Sequence, residues 1–477
     1  MTLRISLALW LGLATPVFAQ PAPKQPAPKP PAPALRPAAP PVVDDMAEFD
    51  RDLDQLFASG GLTSDGAAAR AAGASPTVRR RLAEIEVAIA QTETAELARV
   101  PVVSGKLSYT RLSKIDAKPI QFGDLTIPAF PSLNNSYLAE AQLVIPLSDY
   151  ILRYPKLIDA ARLGEEVARI NKRASEVGAG QDARLAYYEW VRAKLQVLIS
   201  QRQLIQVQKT LDQVRALAEV QRLSKADLLR VESQEAEAEQ VVDQLSNLAQ
   251  LREEQLRLLI GAGTESLVIG EDIRSDVAGA TGGKLDDLLT AAKQKRLEFK
   301  VIDTGIAAKA SQRDAERANL LPRLSAFGVA DYANPNQRVF PQDDKFTGTW
   351  SVGAQLTWTL NDALVARATQ RRISAEANEL RADRENLERG TRIELLAAQQ
   401  AVAIAQHALT TTQKGLTAAQ EGYRVRKALL NAERATAVEL VDAETELTRS
   451  RIAALNARVD LRVARAQLEH ALGNDTK

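Results

Sequence analysis

An internal repeat constrains the fold of this chain more than any other feature. Glu140–Asp149 reads EAQLVIPLSD, and Gly353–Asp362 reads GAQLTWTLND. Each segment is followed by long helical sequence that ends in a similar way, in LIG at Gly261 and in ALG at Gly473. A duplication of this length predicts two copies of one structural unit, laid around a common axis.

Each copy predicts the order helix, β-hairpin, long helix, short helix. Pro101 and Pro322 lie at matching distances from helix starts at Pro76 and Leu297, and proline disfavours helix at the residue before it. Alternating strand sequence follows each proline. The predicted boundaries are 74–261 for the first repeat, 262–284 for an equatorial linker, 285–473 for the second repeat, and 474–477 for a tail.

The chain begins with the features of a secretory signal peptide at residues 1–19. Arg4 precedes an apolar run from Ile5 to Leu13, and small residues end at Ala19. The run is too short to span a bilayer as a mature helix, so an uncleaved anchor is the less favoured alternative. The mature protein is therefore predicted to be exported.

Two further N-terminal segments precede the first repeat. Residues 20–43 are rich in Pro and Ala and predict an extended tether that cannot build a core. A spacer is favoured over a ligand for proline-recognising domains. Residues 44–73 are predicted to form a partly helical segment.

Composition argues against several classes of function. The chain has no cysteine and only two histidines, His407 and His470, so we expect no metal site and no cofactor. The formal net charge is +1, which does not favour nucleic acid. Gly282–Lys284 lacks the other residues of a phosphate-binding loop. We find no catalytic constellation and predict that the protein is not an enzyme.

The strand around Trp350 has one apolar and one polar face. Trp350, Val352, Ala354, Leu356 and Trp358 alternate with serine, glycine, glutamine and threonine. A strand tilted by roughly 40° would place the two tryptophans about 20 Å apart along a membrane normal, close to the apolar band of an outer-membrane barrel. A soluble sandwich strand is the alternative. The residues predicted to face lipid are Tyr137, Leu143, Trp350, Val352, Leu356 and Trp358.

A hairpin in each repeat gives only four strands per chain. Four strands cannot close a barrel, and an open edge in lipid leaves backbone groups unsatisfied. A chain of this kind must therefore assemble with others if it spans a membrane. Three copies would supply twelve strands, a number that closes around a lumen.

The helices are long enough to build a tunnel. Asp362 to about Lys427 predicts a helix of about 100 Å, and Val438–Leu472 and Leu285–Leu321 predict helices of roughly 50–55 Å. Asp149–Glu219 and Ala226–Ile260 repeat the order of a long helix before a short one. The fold class is therefore mainly α with a small β part, and two stacked short helices match one long one.

Order, spacing and duplication together resemble the TolC-like outer-membrane efflux protein family, also called outer membrane factors. The resemblance covers roughly residues 74–473, through the helix–proline–strand junctions, the AQL strands and the two glycine-ended helices. Val220–Glu232 (VQRLSKADLLRVE) resembles the family's periplasmic-tip hairpin, and Ala435–Glu444 is its counterpart. The tip departs from the family at Arg222, and the second copy has a longer stretch from Tyr423 to Thr436.

The resemblance implies a homotrimer in the outer membrane with its helical part in the periplasm. A twelve-stranded β-barrel would continue into an α-helical barrel, and a periplasmic adaptor and an inner-membrane transporter would deliver drugs, metals, toxins or proteins. The implied function is the passive exit duct of a tripartite efflux or type I secretion system. The alternative is a soluble periplasmic coiled-coil adaptor or scaffold, and a porin is a weaker one.

Charged and polar residues near the two tips are the candidates for a gate. In a threefold assembly each would form a ring, and we predict that Asp227, Glu439 and Asp442 line or latch the periplasmic entrance. Ordinary surface salt bridges are the alternative. The full set of tip candidates is Arg222, Leu223, Ser224, Asp227, Arg434, Thr436, Glu439 and Asp442.

Overall fold

The secondary structure follows from a computed structural model that describes residues 45–114, 119–127, 133–221, 223–275, 283–432 and 434–476. The predicted signal peptide and tether, residues 1–43, lie outside the described residues. The helices and strands, in chain order, are α1 (Asp45–Leu56), β1 (Phe57–Leu62), α2 (Ser64–Ala74), α3 (Pro76–Leu97), β2 (Val102–Arg111), β3 (Ile120–Phe122), β4 (Leu125–Ile127), β5 (Asn135–Ile145), α4 (Leu147–Leu152), α5 (Tyr154–Glu219), α6 (Lys225–Ile260), α7 (Leu285–Lys295), α8 (Leu297–Arg317), β6 (Arg323–Asn334), β7 (Thr347–Thr357), α9 (Leu360–Asn431) and α10 (Ala437–Leu472).

Two very long helices, α5 and α9, organise the helical part. They have 66 and 72 residues, and at 1.5 Å per residue they are about 100 and 108 Å long. Each packs on α8, α5 also packs on α3, and the later half of each pairs with a 36-residue helix, α6 or α10. Contacts between α5 and α10 join the two repeats. The predicted combination of long and short helices is confirmed.

A core of aromatic and aliphatic side chains lies at mid-height of the helices. Tyr187 and Trp190 of α5 are fully buried. They belong to a cluster that includes Ala67 of α2, Leu256 of α6 and Val459 of α10. The same cluster includes Ile269 of the linker, so the linker is held against the helices at this level.

The helical sequence Leu285–Leu321 is not one continuous helix. It breaks at Arg296, whose φ and ψ of −64° and 131° are extended, and we predicted a single helix there. The reason is tertiary, because the end of α10 packs into the break. A Cβ added at Gly473 would lie 3.0 Å from the backbone nitrogen of Arg296.

The sheet joins the two hairpins in one antiparallel layer of order β2–β5–β6–β7. The two repeats meet where β5 pairs with β6, with Leu143 opposite Gly328. Strand β5 ends at Ile145, because Pro146, which follows it, has no N–H to donate. The loop between β2 and β5 also contains the short hairpin β3–β4.

Candidate functional site: an exposed apolar sheet face and a capped helical tip

The apolar face of β7 is exposed. Trp350, Val352 and Leu356 are 72, 73 and 68 % exposed. Of the intervening polar residues, Thr349 and Ser351 are half-buried, and Gln355 and Thr357 are exposed, so the apolar face is no better covered than the polar one. A sheet in water shows the opposite arrangement, with the apolar face covered and the polar face solvated.

The same exposed face continues across all four strands. The register places Val103, Leu143, Gly328 and Val352 in one row across the sheet. Val103 is 75 % exposed, and Leu143 is 39 % exposed. An apolar surface of this extent marks an interaction with protein or membrane.

Aromatic side chains lie at both ends of this face. Trp358 lies one residue beyond the end of β7, so it is not a strand residue, and its indole nitrogen donates to the Leu320 carbonyl oxygen at 3.3 Å. Tyr137 is 40 % exposed, and its ring lies 5.0 Å from that of Tyr109. Aromatic girdles of this kind flank the apolar band of membrane barrels. The aromatic cluster at the Tyr137 end consists of Tyr109, Tyr137, Tyr332 and Phe346.

The two outer strands of the sheet, β2 and β7, each pair on one side only within the described part of the chain. Each is a long edge strand, with 10 and 11 residues. A long, apolar edge strand is a template for pairing with another chain.

The opposite end of the helical part consists of two similar turns. One separates α5 from α6 and the other separates α9 from α10, each by five residues. The expected longer second tip is therefore wrong, because α9 stays helical through Asn431. Arg222 lies outside the described residues.

Four of the tip candidates take part in two helix N-caps. The Ser224 hydroxyl accepts from the Asp227 backbone N–H at 3.1 Å, and the Thr436 hydroxyl accepts from that of Glu439 at 3.2 Å. Ser or Thr followed three residues later by an acidic residue is a typical start of a helix. The structure thus gives these polar residues a local role at the tip of each hairpin.

Two tip carboxylates also form ion pairs within the chain. Glu439 contacts Arg426 at 2.7 Å, between α10 and α9. Asp442 contacts Arg230 at 3.5 Å and thereby connects α10 to α6 of the other repeat. All four side chains are 45 to 61 % exposed, so each pair contributes at most about 1 kcal/mol to folding.

The remaining tip candidates have structural positions. The backbone N–H of Arg434 donates to the Leu429 carbonyl oxygen at 2.8 Å and helps to end α9. Leu223 packs against a buried cluster that joins α5, α6 and α10 through Leu211, Val231 and Val441. The predicted gate residues that the structure describes therefore lie together at the two turns, and their gating role stays a prediction.

Glu444 is a buried carboxylate near the tip that sequence reasoning passed over. It is 3 % exposed and accepts from the Thr210 hydroxyl at 3.1 Å. Leu440 and Leu447 are three or four residues away on the same buried stripe of α10. A charged residue in that stripe is the signal that could have identified it.

A second buried polar group lies where the linker meets the helices. The Arg462 guanidinium contacts Glu271 and donates to the carbonyl oxygens of Asp272 and Ser275, each at 3.0 Å. The Tyr188 hydroxyl lies 3.2 Å from Glu271, and burial raises the pKa of Tyr188. This group fixes the linker to α5 and α10, and no sequence pattern indicated it.

The described residues offer neither a metal site nor a membrane-spanning helix. No group of three or more His, Asp or Glu side chains there is placed to hold a metal ion. None of the helices in the part of the chain that the structure describes is long and apolar enough to cross a membrane.

Solved structures define the class of fold. The CusC structure, described in terms of transmembrane channel formation, aligns with a TM-score of 0.71 at 16 % identity over 88 % of this chain and 93 % of its own. The open-state MtrE outer membrane channel of Neisseria gonorrhoeae gives 0.70 at 17 % identity, over 88 % and 93 %. The CmeC outer membrane channel of Campylobacter jejuni gives 0.69 at 13 % identity, over 90 % and 87 %. The fold is that of outer-membrane channels.

A family model matches part of the sequence. Residues 288–474, which include almost the whole second repeat, match the family described as outer membrane efflux protein. The resemblance stated from the sequence is thereby confirmed. No curated protein sequence matches the chain.

Proposed function

We propose that this protein is the outer-membrane exit duct of an efflux or secretion system. The observation that carries the proposal is the exposed apolar face of the sheet, which ends in aromatic residues and has open edges on both sides. A soluble adaptor or scaffold would have no use for this face. The similarity to outer membrane efflux proteins also favours the duct.

The two open edges support assembly into a trimer. Strand β7 of one copy would pair with β2 of the next, and three copies would close twelve strands around a lumen. In this arrangement the apolar face lies toward lipid and the polar face lines the lumen. Each copy would pair through β7 with one neighbour and through β2 with the other, as a cyclic assembly requires.

The long helices would form the periplasmic part of the duct. A helix of about 108 Å, as for α9, reaches far from the membrane. The capped turns are then the part nearest to a periplasmic adaptor and an inner-membrane transporter, which would supply cargo and energy. No residue of the chain needs to perform catalysis in this role.

The charged residues of the tip are proposed to control the entrance. The contact between Arg230 and Asp442 ties the two hairpins of one copy together, so its loss would let α10 move relative to α6. Asp227 and Glu439 would form rings of carboxylates in the trimer. Charge reversal at Asp442 is expected to raise conductance, and an unchanged conductance would count against this part of the proposal.

A pair of substitutions on β7 tests the lipid-facing surface. Val352→Arg places a charge on the apolar face. If that face meets the membrane core, the substitution should destabilise the protein in the membrane by about 2–4 kcal/mol. Ser351→Arg is the matched control, because it lies next along the same strand on the other face. The measurement is the native mass after detergent extraction of the outer-membrane fraction, together with conductance in planar bilayers.

The expected wild-type result is a trimer that conducts ions. Val352→Arg should abolish recovery of the trimer from the membrane fraction, whereas Ser351→Arg should leave the trimer intact and alter only its conductance. Recovery of wild-type protein as a soluble monomer would reject the channel and favour the scaffold. Equal tolerance of both substitutions would show that the apolar face does not meet lipid.

A further inference from the structure

A basic groove lies between α9 and α10, at the level of the linker. It has a volume of about 840 Å³. Its α9 side consists of residues three or four apart, including Gln406, Thr410 and Gln413, and Arg458 and Leu461 line the α10 side. This spacing places each set on one face of its helix. The linker residue Arg274 borders the groove on its third side.

The groove interrupts an otherwise apolar seam between the two helices. On one side of it, Leu395 and Val402 of α9 pack against Leu468 of α10. On the other side, Tyr423 of α9 packs against Leu447 of α10. Between these clusters the facing residues of α9 are mostly amides and hydroxyls, so the two helices do not close over an apolar core there.

The rim of the groove is positively charged. Lys414, Arg458 and Arg465 line it, and none of its described lining residues is acidic. Three of the four lining arginines have interactions within the chain: Arg274 contacts Asp54 and Asp272, Arg462 contacts Glu271, and Arg465 also has a partner. The Arg458 guanidinium donates to the Gln413 side-chain oxygen at 3.4 Å.

The floor of the groove is apolar. Ile273 and Leu461 line it and are 4 and 7 % exposed. From Gln406 to Thr417 the groove extends about 16 Å along α9, the length of about five residues of extended chain. A small inorganic anion would reach only the rim and would stay hydrated there. A segment with both carboxylates and apolar side chains would use rim and floor together.

We propose that the basic groove binds an acidic, amphipathic segment of a partner polypeptide. The carboxylates of the segment would meet Lys414 and Arg458, and its apolar side chains would lie on Ile273 and Leu461. The inference rests on the proposed function only in that an exit duct works with other periplasmic polypeptides. The groove is separate from the capped turns at the tip.

The test uses the full-length protein in detergent and a fluorescein-labelled hexapeptide of alternating glutamate and leucine. Fluorescence anisotropy would measure its binding, with the glutamine–leucine peptide as the uncharged control and inorganic phosphate as a competitor. The variant Lys414→Glu/Arg458→Glu reverses two rim charges. Lys300→Glu/Arg317→Glu is the matched control, since it reverses two exposed charges on α8.

The proposal predicts that the acidic peptide binds and that the glutamine peptide binds at least about tenfold more weakly. The rim variant should bind the acidic peptide more weakly than wild type by a similar factor, and the α8 variant should bind it like wild type. Added salt should weaken the binding. Equal affinity for both peptides, or equal loss in both variants, would overturn the proposal. Full displacement by millimolar phosphate would do the same, because it would show a small-anion site.

Two readouts on the same samples keep this result separate from the channel proposal. Conductance and native mass report on the duct, and the rim variant is expected to leave both unchanged. If the wild-type protein does not conduct yet binds the peptide, only the channel proposal fails. If the peptide does not bind and the rim variant changes the native mass, the groove is an interface between copies and the partner proposal fails.

Discussion

The two repeats differ most where a proline falls in one and not in the other. In the first repeat the helix after the hairpin is interrupted at Arg153, and Pro155 lies in the first turn of α5. The corresponding position of the second repeat, counted from Asp149 and Asp362, is Ala368, and α9 continues through it without a break. The long helix of the first repeat thus begins at Tyr154, after a break, whereas that of the second repeat runs unbroken from Leu360.

The repeats agree where their sequences do not. The breaks between α2 and α3 and between α7 and α8 have almost the same backbone angles, φ −61° and ψ 124° at Ser75 and φ −64° and ψ 131° at Arg296. A proline follows the first break, and Leu297 follows the second. Pro76 itself disfavours helix at Ser75, whereas nothing local does so at Arg296. A glycine-ended helix packs against each break, and this tertiary contact is the cause of the break at Arg296.

The largest expected effect comes from exchanging the residues at the first difference. Ala368→Pro removes a backbone hydrogen bond inside α9 and clashes with the preceding turn. It should lower the free energy of unfolding by about 3 kcal/mol or more. Pro155→Ala should change stability little, because the break at Arg153 already exists. Thermal unfolding followed by helical circular dichroism measures both. Ala368→Gly is the control and should lower the free energy of unfolding by about 1 kcal/mol. If Ala368→Pro destabilised the protein no more than Ala368→Gly, α9 would tolerate a break at this position.

The glycines that end α6 and α10 give the next largest effect. Gly261 and Gly473 have φ of +64° and +71°, a region that costs other residues about 1–2 kcal/mol. A Cβ at Gly261 would also lie 2.6 Å from the Ala74 Cβ. Gly261→Ala and Gly473→Ala should each lower the melting temperature. Gly263→Ala, with open space around it, should not, and a similar fall in that control would refute the packing argument.

The two helix caps should contribute equally. Ser224→Ala and Thr436→Ala each remove the side-chain acceptor of a backbone N–H in the first turn of the helix. Each should lower the free energy of unfolding by about 1 kcal/mol. The double substitution should cost the sum, because the caps belong to different hairpins. Urea unfolding measures the three values. A much larger loss for Thr436→Ala would mean that the second tip has a further role in holding the assembly.

The smallest expected effect is a pH dependence present in one repeat only. His470 lies 2.7 Å from Asp475, and the hydrogen bond to that carboxylate raises the pKa of His470 above its ordinary value, although burial opposes it. The pair therefore stabilises the fold at low pH, and this contribution is lost as the pH rises through the raised value. Leu258 has the corresponding position in the first repeat.

His470→Gln should reduce the change in melting temperature between pH 6 and pH 9. The control is His407→Gln, which should leave this change in melting temperature as it is in wild type. Asp475 pairs with His470 and raises its pKa. Equal pH profiles for wild type and His470→Gln would show that the pair makes no net contribution to stability.

The sequence was most informative where local pattern and tertiary environment agree. The alternation around Val352 predicted the exposed face, and the glycines at 261 and 473 predicted both helix ends. The break at Arg296 could not be predicted, because nothing in Lys295–Leu297 disfavours helix and the cause lies in a helix far along the chain. The contact of Glu271 with Arg462 likewise depends on how the linker returns to the core.

The tip shows a different limitation. Ser224 and Thr436 were selected for a possible gate because they are polar residues near a turn, yet the same spacing to Asp227 and Glu439 is an N-cap signature. The pattern was present, and the capping interpretation follows from it directly. Sequence could therefore place these residues at the tip, but the ring that they would form depends on neighbouring copies.

The open edges β2 and β7 also have a kinetic consequence. One copy has two unpaired edges, and a chain of two copies still has two, since each added copy covers one edge and brings another. Only closure by the third copy removes both at once. On the proposed function, insertion into lipid is therefore coupled to completion of the ring, and its rate should rise more steeply than in proportion to protein concentration. Incomplete rings would remain outside the membrane, where their edges are accessible to chaperones.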